Sequence, residues 1–324
     1  MSLLNVHNLT VEYSTEAGTA RALDGVNFSV QPGEVVGIVG ESGSGKSTIG
    51  LSVIGLLREP PARTVSGRIE FDGCDLRSLS PRRLRAIRGR RIGMVFQDPT
   101  AALNPVLSVG DQIAEVLRCH GEMGAQQLRE RTVSLLQWVG IAGAEDRLNA
   151  YPHQFSVGMQ QRVGIAMALS GSPELLIADE PTTALDATVQ AQLLDLMVGI
   201  QRDRGLAVLL ISHDLAVVSE LCQKVVVLYS GRVMENGPVA DVLSSPLHPY
   251  SRALLASNPA QAVPGEALPV LPDPLVDAAE LDSGCRFRSR CPRSSEQCKE
   301  IPPQVENGPQ HRSWCFHPHR DDLA

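Results

Sequence analysis

The segment Gly40-Glu41-Ser42-Gly43-Ser44-Gly45-Lys46-Ser47 has the order G-x-x-x-x-G-K-[ST]. It directly follows the apolar run Val35 to Val39 and precedes Thr48-Ile49-Gly50-Leu51. Glycines at these positions let successive backbone N–H groups wrap a phosphate, and a helix opening at the lysine turns its positive end toward the same anion. Lys46 is then placed to reach the β and γ phosphates of a nucleotide, and the Ser47 hydroxyl to ligate Mg²⁺. A glycine-rich turn without a ligand would leave the lysine beside three glycines unexplained.

A second run, Leu175-Leu176-Ile177-Ala178-Asp179-Glu180, reads as a buried strand ending in two acids. Carboxylates at the C-terminal edge of a parallel sheet sit where phosphates bind. Asp179 suits a metal ligand, and Glu180, just past the strand, suits the polarisation of an attacking water. The alternative is a pair of acids capping a next helix that begins at Pro181. His213 closes a third apolar run, Ala207 to Ser212, and so points to the same edge, where it would meet a γ-phosphate.

The elements that must position these groups can be read from pattern. Leu3 to Val11, Val26 to Val30 and Arg68 to Phe71 are short and alternating, which predicts an antiparallel edge layer. Val35 to Val39, Leu175 to Ala178, Ala207 to Ile211 and Val225 to Leu228 are continuous apolar runs, as in strands buried on both faces of a mostly parallel sheet. Helical stretches alternate with them, so the class is α/β. Between Gln97 and Ser170 apolar residues recur at helical spacing (Ile113, Val116, Leu117; Leu128, Leu135, Leu136, Val139), which predicts an inserted helical subdomain over about 98–170.

Composition bounds the rest. The chain has 324 residues, 43% of them hydrophobic, a formal net charge of −7 and no apolar run near the length of a membrane span. These values argue against disorder, an integral membrane protein and a constitutive nucleic-acid binder. The six arginines between Pro81 and Arg91 lack interleaved aromatics and read as a solvated face. The N-terminus has no secretion signal, so a reducing cytoplasm is expected. From Pro259 onward lie 10 of the 22 prolines, and a boundary is expected near 240 to 260. Four of the seven cysteines crowd that end as Cys285-x5-Cys291-x6-Cys298-x16-Cys315. In a reducing compartment they read as ligands of zinc or an iron-sulfur cluster before disulfides. His311, His317 and His319 are possible substitutes but read as surface residues.

These motifs together resemble the ATP-binding subunits of ABC transporters over residues 1–250. The resemblance makes Gln97 (in Val95-Phe96-Gln97-Asp98-Pro99) a Q-loop glutamine and Mg²⁺ ligand. It makes Phe155-Ser156-Val157-Gly158-Met159-Gln160-Gln161-Arg162 the signature, with Ser156 and Gly158 meeting ATP. Ala184-Leu185-Asp186 becomes the D-loop, His213 the switch, and Tyr13 the aromatic that stacks on adenine. ATP contacts are implied at Gly40, Ser42, Gly43, Ser44, Gly45, Lys46, Ser47 and Thr48, and the fold becomes a P-loop NTPase core. Phe96-Gln97-Asp98-Pro99, Ala102-Leu103-Asn104-Pro105, Tyr151-Pro152-His153-Gln154 and His248-Pro249-Tyr250 are similar to the dipeptide, oligopeptide and nickel importer branch. In that branch 251–324 would be a permease-associated domain whose four cysteines hold a 4Fe-4S cluster, with zinc as the alternative.

Such subunits act as head-to-tail pairs. The resemblance therefore implies a second ATP-binding subunit, two membrane permease subunits, an extracytoplasmic solute-binding protein and a peripheral place on the cytoplasmic face of the membrane. Val157 departs from the signature, which usually has two adjacent glycines after the serine. A branched residue resists positive φ where backbone must approach a phosphate, so one composite site is expected to be impaired and the pair non-identical. The other classes weighed are a soluble ABC ATPase of nucleic-acid repair or translation, an exporter half and a small-molecule kinase. The first would carry long inserts, the second spanning helices, and the third no signature or D-loop.

Overall fold

The computed structural model describes residues 2–16, 18–121, 123–183, 185–257 and 283–319. The proline-rich stretch to residue 282 and Ala184 of the D-loop lie outside the described residues. The chain divides into two compact units, one of Met1–Val30, Val35–Arg77 and Leu210–Ala324, the other of Gln31–Glu34 and Ser78–Leu209.

The first unit contains the expected antiparallel layer, with longer strands than the alternation suggested: Leu4–Thr15, Gly18–Val30 and Ala62–Phe71. Leu4 and Val6 are buried, then Leu9 and Val11, so the inward positions slip by one residue. A register shift between Val6 and Leu9 takes up that slip, with Asn8 at φ 47°, and keeps both pairs on the core face.

The same unit holds a mixed sheet. Val35–Val39 pairs in parallel with Lys224–Tyr229, which pairs antiparallel with Arg232–Pro238. The C-terminal segment extends that sheet, since Arg312–Trp314 adds to Arg232–Pro238 and Gln304–Glu306 adds to Arg312–Trp314.

Two acids, Glu235 buried and Asp24 half-buried, fasten this segment. Glu235, fully buried, accepts from the Leu247 and His248 N–H groups at 2.8 Å each and pairs with His311 Nε2 at 2.6 Å. His311 is thus a core residue, not the surface histidine expected, because a buried carboxylate needs its third partner. Asp24 receives Arg232 Nε at 2.7 Å and Arg286 Nη2 at 2.9 Å. Burial pushes the Asp24 carboxyl up, but the Arg232 hydrogen bond and the charges of Arg232, Arg286 and Arg21 outweigh it and hold the group below its ordinary value.

The second unit pairs Ile92–Val95 in parallel with Leu175–Asp179, both entirely buried. Its helices Val109–His120, Ala125–Trp138 and Val157–Leu169 pack on one another, and most of the residues expected to face inward do so. The arginine-rich segment forms the helix Pro81–Ile87, which buries nothing. No described helix is long and apolar enough to cross a membrane.

Because Asp24 is depressed, the unfolded chain binds the extra proton, and the stability this carboxylate contributes is lost as pH falls below about 4. Asp24→Asn should lower unfolding free energy at pH 7 by about 2 kcal/mol by leaving buried Arg286 without its counter-charge. The gap from wild type should narrow as pH falls below about 4 in urea titrations.

Candidate functional site

In the first unit the strand Val35–Val39 delivers the chain to Gly40, and a helix, Lys46–Ile54, opens at Lys46 with Gly45 as its N-cap at φ 103°. A Cβ at Gly45 would lie 2.5 Å from the Ala22 carbonyl oxygen. A Cβ at Gly43, by contrast, would meet nothing within 4 Å, so this side of the loop faces open space. Lys46 is 5% exposed, and its Nζ donates to the Gly40 and Glu41 carbonyls at 2.9 Å each. The Ser44 hydroxyl is buried with no hydrogen-bond partner among the described residues. Such an atom costs free energy until an acceptor arrives, and a phosphate oxygen is one.

Three aromatic residues lie behind the loop. Tyr250 is fully buried, and its hydroxyl accepts from the Glu41 N–H at 2.9 Å. Its ring packs on Tyr229 and Phe287, with centroids 4.7 and 5.3 Å away. The triplet His248-Pro249-Tyr250, read as a family mark, therefore has a physical task. His248 Nδ1 caps the helix Pro249–Ala256 through the Tyr250 N–H at 3.0 Å, Pro249 opens that helix, and Tyr250 supports the loop. Burial pushes His248 down to about 3, which keeps the ring neutral and its Nδ1 free to accept. Tyr13 is half-buried on the antiparallel layer of this unit, and His213 is exposed just after the strand Ala207–Ser212.

In the second unit Glu180 sits immediately beyond Leu175–Asp179 at φ 46°, an unfavourable backbone for a non-glycine residue. Gln97 Nε2 and Thr183 Oγ1 both donate to Glu180 Oε2, at 3.0 and 2.9 Å. The structure thus brings the Q-loop glutamine onto the acid expected to polarise water, and it adds Thr183, which carries no signal of its own in Pro181-Thr182-Thr183. Asp179 is 5% exposed. The acids do not cap the following helix, which runs Ala187–Arg204 with Asp186 as its N-cap, accepting from the Thr188 and Val189 N–H groups at 3.1 and 3.0 Å.

Ser156 caps the signature helix, accepting from the Met159 N–H at 3.4 Å. A Cβ on Gly158 would lie 2.6 Å from Val189 Cγ1, so glycine here permits close packing against the helix that Asp186 caps. Val157 does not occupy the positive-φ backbone expected of it. Neither Val157 nor Gly158 has positive φ, because both lie in the first turn of the helix. The Val157 side chain is 44% exposed.

The four clustered cysteines lie in the first unit, where Cys315 feels the charge of the other three, Cys285 that of Cys291 and Cys298, and Cys291 that of Cys298. Burial pushes Cys285 up to about 11 and Cys315 to about 12, and it also raises Cys291. The N–H groups of Phe287, Arg293 and His317, each two residues on, point at the sulfurs of Cys285, Cys291 and Cys315, the last at 3.3 Å. Among the described residues no group of three or more His, Cys, Asp or Glu side chains is arranged to hold a metal ion.

Residues 23–183 match the ABC transporter family, and residues 234–298 match the oligopeptide/dipeptide transporter C-terminal region. The chain is 48% identical to the "Probable peptide ABC transporter ATP-binding protein y4tR" of Sinorhizobium fredii, over 97% of this chain and 94% of that one. It is 44% identical to the dipeptide transport ATP-binding protein DppD of Escherichia coli, over 94% and 93%. The solved dimer of the ATP-binding cassette MJ0796 with ADP and Pi superposes at a TM-score of 0.65 with 31% identity, over 73% of this chain and 98% of that one. The cradle, the acid-tipped strand and these near full-length likenesses agree: the chain belongs to the ATP-binding subunits of ABC transporters, in their oligopeptide/dipeptide branch.

Proposed function

We propose that the chain is the ATP-hydrolysing, energy-coupling subunit of a membrane importer of dipeptides or oligopeptides. The observation that carries this reading is the buried Ser44 hydroxyl, left without a partner in a glycine loop that opens on space at Gly43. Family membership supplies the substrate class, since DppD and the Escherichia coli oligopeptide transport protein OppD, also 44% identical, bear those solutes in their names.

ATP would lie with its phosphates on Gly40, Ser42, Gly43, Ser44, Gly45, Lys46, Ser47 and Thr48, and its adenine against Tyr13. Ser47, Gln97 and Asp179 would hold Mg²⁺, which neutralises phosphate charge. Glu180 orients and deprotonates the attacking water, and Gln97 and Thr183 fix its carboxylate for that work. His213 would contact the γ-phosphate. Ser156 and Gly158 would serve the nucleotide of a facing subunit, beside Asp186, at the positive end of the signature helix. Cleavage removes the contact that joins the pair, so open and closed states exchange through ATP's unequal affinity for them.

The pair would dock on two permease subunits at the cytoplasmic face of the membrane, with an extracytoplasmic protein delivering solute. The exposed apolar side chains Phe96, Val106, Leu107 and Tyr151 of the second unit support such docking. In this reading residues 1–250 form the ATP-binding domain, with a helical subdomain over about 98–170, and 251–324 the associated domain. A repair or translation ATPase is not favoured.

We infer a 4Fe-4S cluster at Cys285, Cys291, Cys298 and Cys315. The charge that Cys315 feels from the other three thiols and the N–H donors aimed at three of the sulfurs support it. Bound, the cluster would draw the thiols into the ionised form and add folding free energy. A non-identical partner is inferred from Val157, whose exposed branched side chain in the first turn of the signature helix would meet a nucleotide held by that partner.

In the assembled complex Glu180→Gln should cut ATP hydrolysis by about 10² to 10⁴-fold and trap magnesium nucleotide at Lys46, read by retained radiolabel, and solute uptake should stop. Val157→Gly should raise the ATPase of the assembled complex, and an unchanged rate removes the case for an impaired composite site. Anaerobically purified protein should be brown, with iron and acid-labile sulfide in equal amounts, whereas colourless protein carrying zinc or no metal would overturn the cluster.

A further inference from the structure

Glu41 is the sole carboxylate in the cradle, and every polar group on it is engaged. Its N–H donates to Tyr250 Oη and its carbonyl accepts from Lys46 Nζ, both at 2.9 Å. Its two carboxylate oxygens receive the two Nη atoms of Arg290, at 2.7 and 3.0 Å. Arg290 is 6% exposed at its side chain and Glu41 34%. The guanidinium also lies 5.7 Å from the Tyr229 ring centroid and donates to the Tyr229 hydroxyl at 3.2 Å. A two-pronged, largely buried pair fixes both distance and plane, which a lysine does not do.

The arginine is itself held. Its N–H donates to the Phe287 carbonyl at 3.0 Å, and Phe287 is fully buried against Tyr229 and Tyr250. A second arm runs beside the first. Arg286 donates to the Ser230 carbonyl, and the Gly231 N–H donates to the Ser44 carbonyl at 2.8 Å. Arg286 follows Cys285 and Arg290 precedes Cys291, so both arms spring from the cysteine loop.

We propose that Arg290 is a positioning residue for nucleotide binding: through Glu41 it sets the shape of the phosphate loop and cancels the loop's one negative charge, so the cysteine-bearing segment governs how tightly the cradle holds a nucleoside triphosphate. A carboxylate without this partner would repel the phosphates a few ångströms away and free the loop to rearrange. The inference rests on the ATP reading above and deepens it.

The test is equilibrium binding of a magnesium complex of a non-hydrolysable ATP analogue to the full chain, purified anaerobically. Arg290→Ala should weaken binding about tenfold, Arg290→Lys less, since it keeps charge but not the fork. Glu41→Gln in the Arg290→Ala background should restore most of the affinity, because the repelling charge has gone. A purely structural brace would not show that rescue. Arg290→Ala within twofold of wild type, or a double variant as weak as Arg290→Ala alone, overturns the proposal. Should Arg290→Ala fail to fold, Arg290→Lys decides: weaker binding with an unchanged thermal midpoint supports it, and wild-type affinity overturns it. A wild-type chain that binds no analogue overturns the ATP reading as well, which separates the two failures.

Discussion

A buried ammonium must be answered by oxygen. Lys46, almost wholly shielded from water, is answered by the carbonyls of Gly40 and Glu41, and this one need bends the loop back on the helix that follows. The same loop carries Ser44 with a hydroxyl that no described protein group satisfies. Everything nearby serves to hold that loop in place: a buried parallel strand before it, a tight helix N-cap within it, and an aromatic cluster with two arginines behind it.

The second unit solves a similar problem with a different tool. Glu180 keeps an unfavourable backbone angle because Gln97 and Thr183 grip its carboxylate, and the strand before it is rigid. A carboxylate fixed in that way needs little reorganisation when water is attacked, and in such enzymes preorganised groups account for much of the rate.

What could be read from sequence follows the distance over which each feature is encoded. The cradle, the acid-tipped strand and the buried parallel strands are written in contiguous residues, since backbone geometry and burial on both faces act locally, and the structure has them where pattern put them. The partners of Glu41 are 209 and 249 residues away, and no periodicity announces them. His248-Pro249-Tyr250 was visible only as a mark, because capping and aromatic packing need the third dimension. His311 misled for the same reason: prolines and polar neighbours suggested surface, while Glu235 lay in wait across 76 residues. Val157 misled through a wrong assumption about backbone. A first-turn helical position asks for no glycine conformation, so only side-chain bulk is at issue.

The span between Glu41 and Arg290 also sets an order of events during synthesis. The ribosome makes the phosphate loop 249 residues before its brace, so a nascent chain carries the loop through that stretch of translation without the guanidinium that steadies it. Products cut short before residue 290 would present the full phosphate-binding motif yet lack its support.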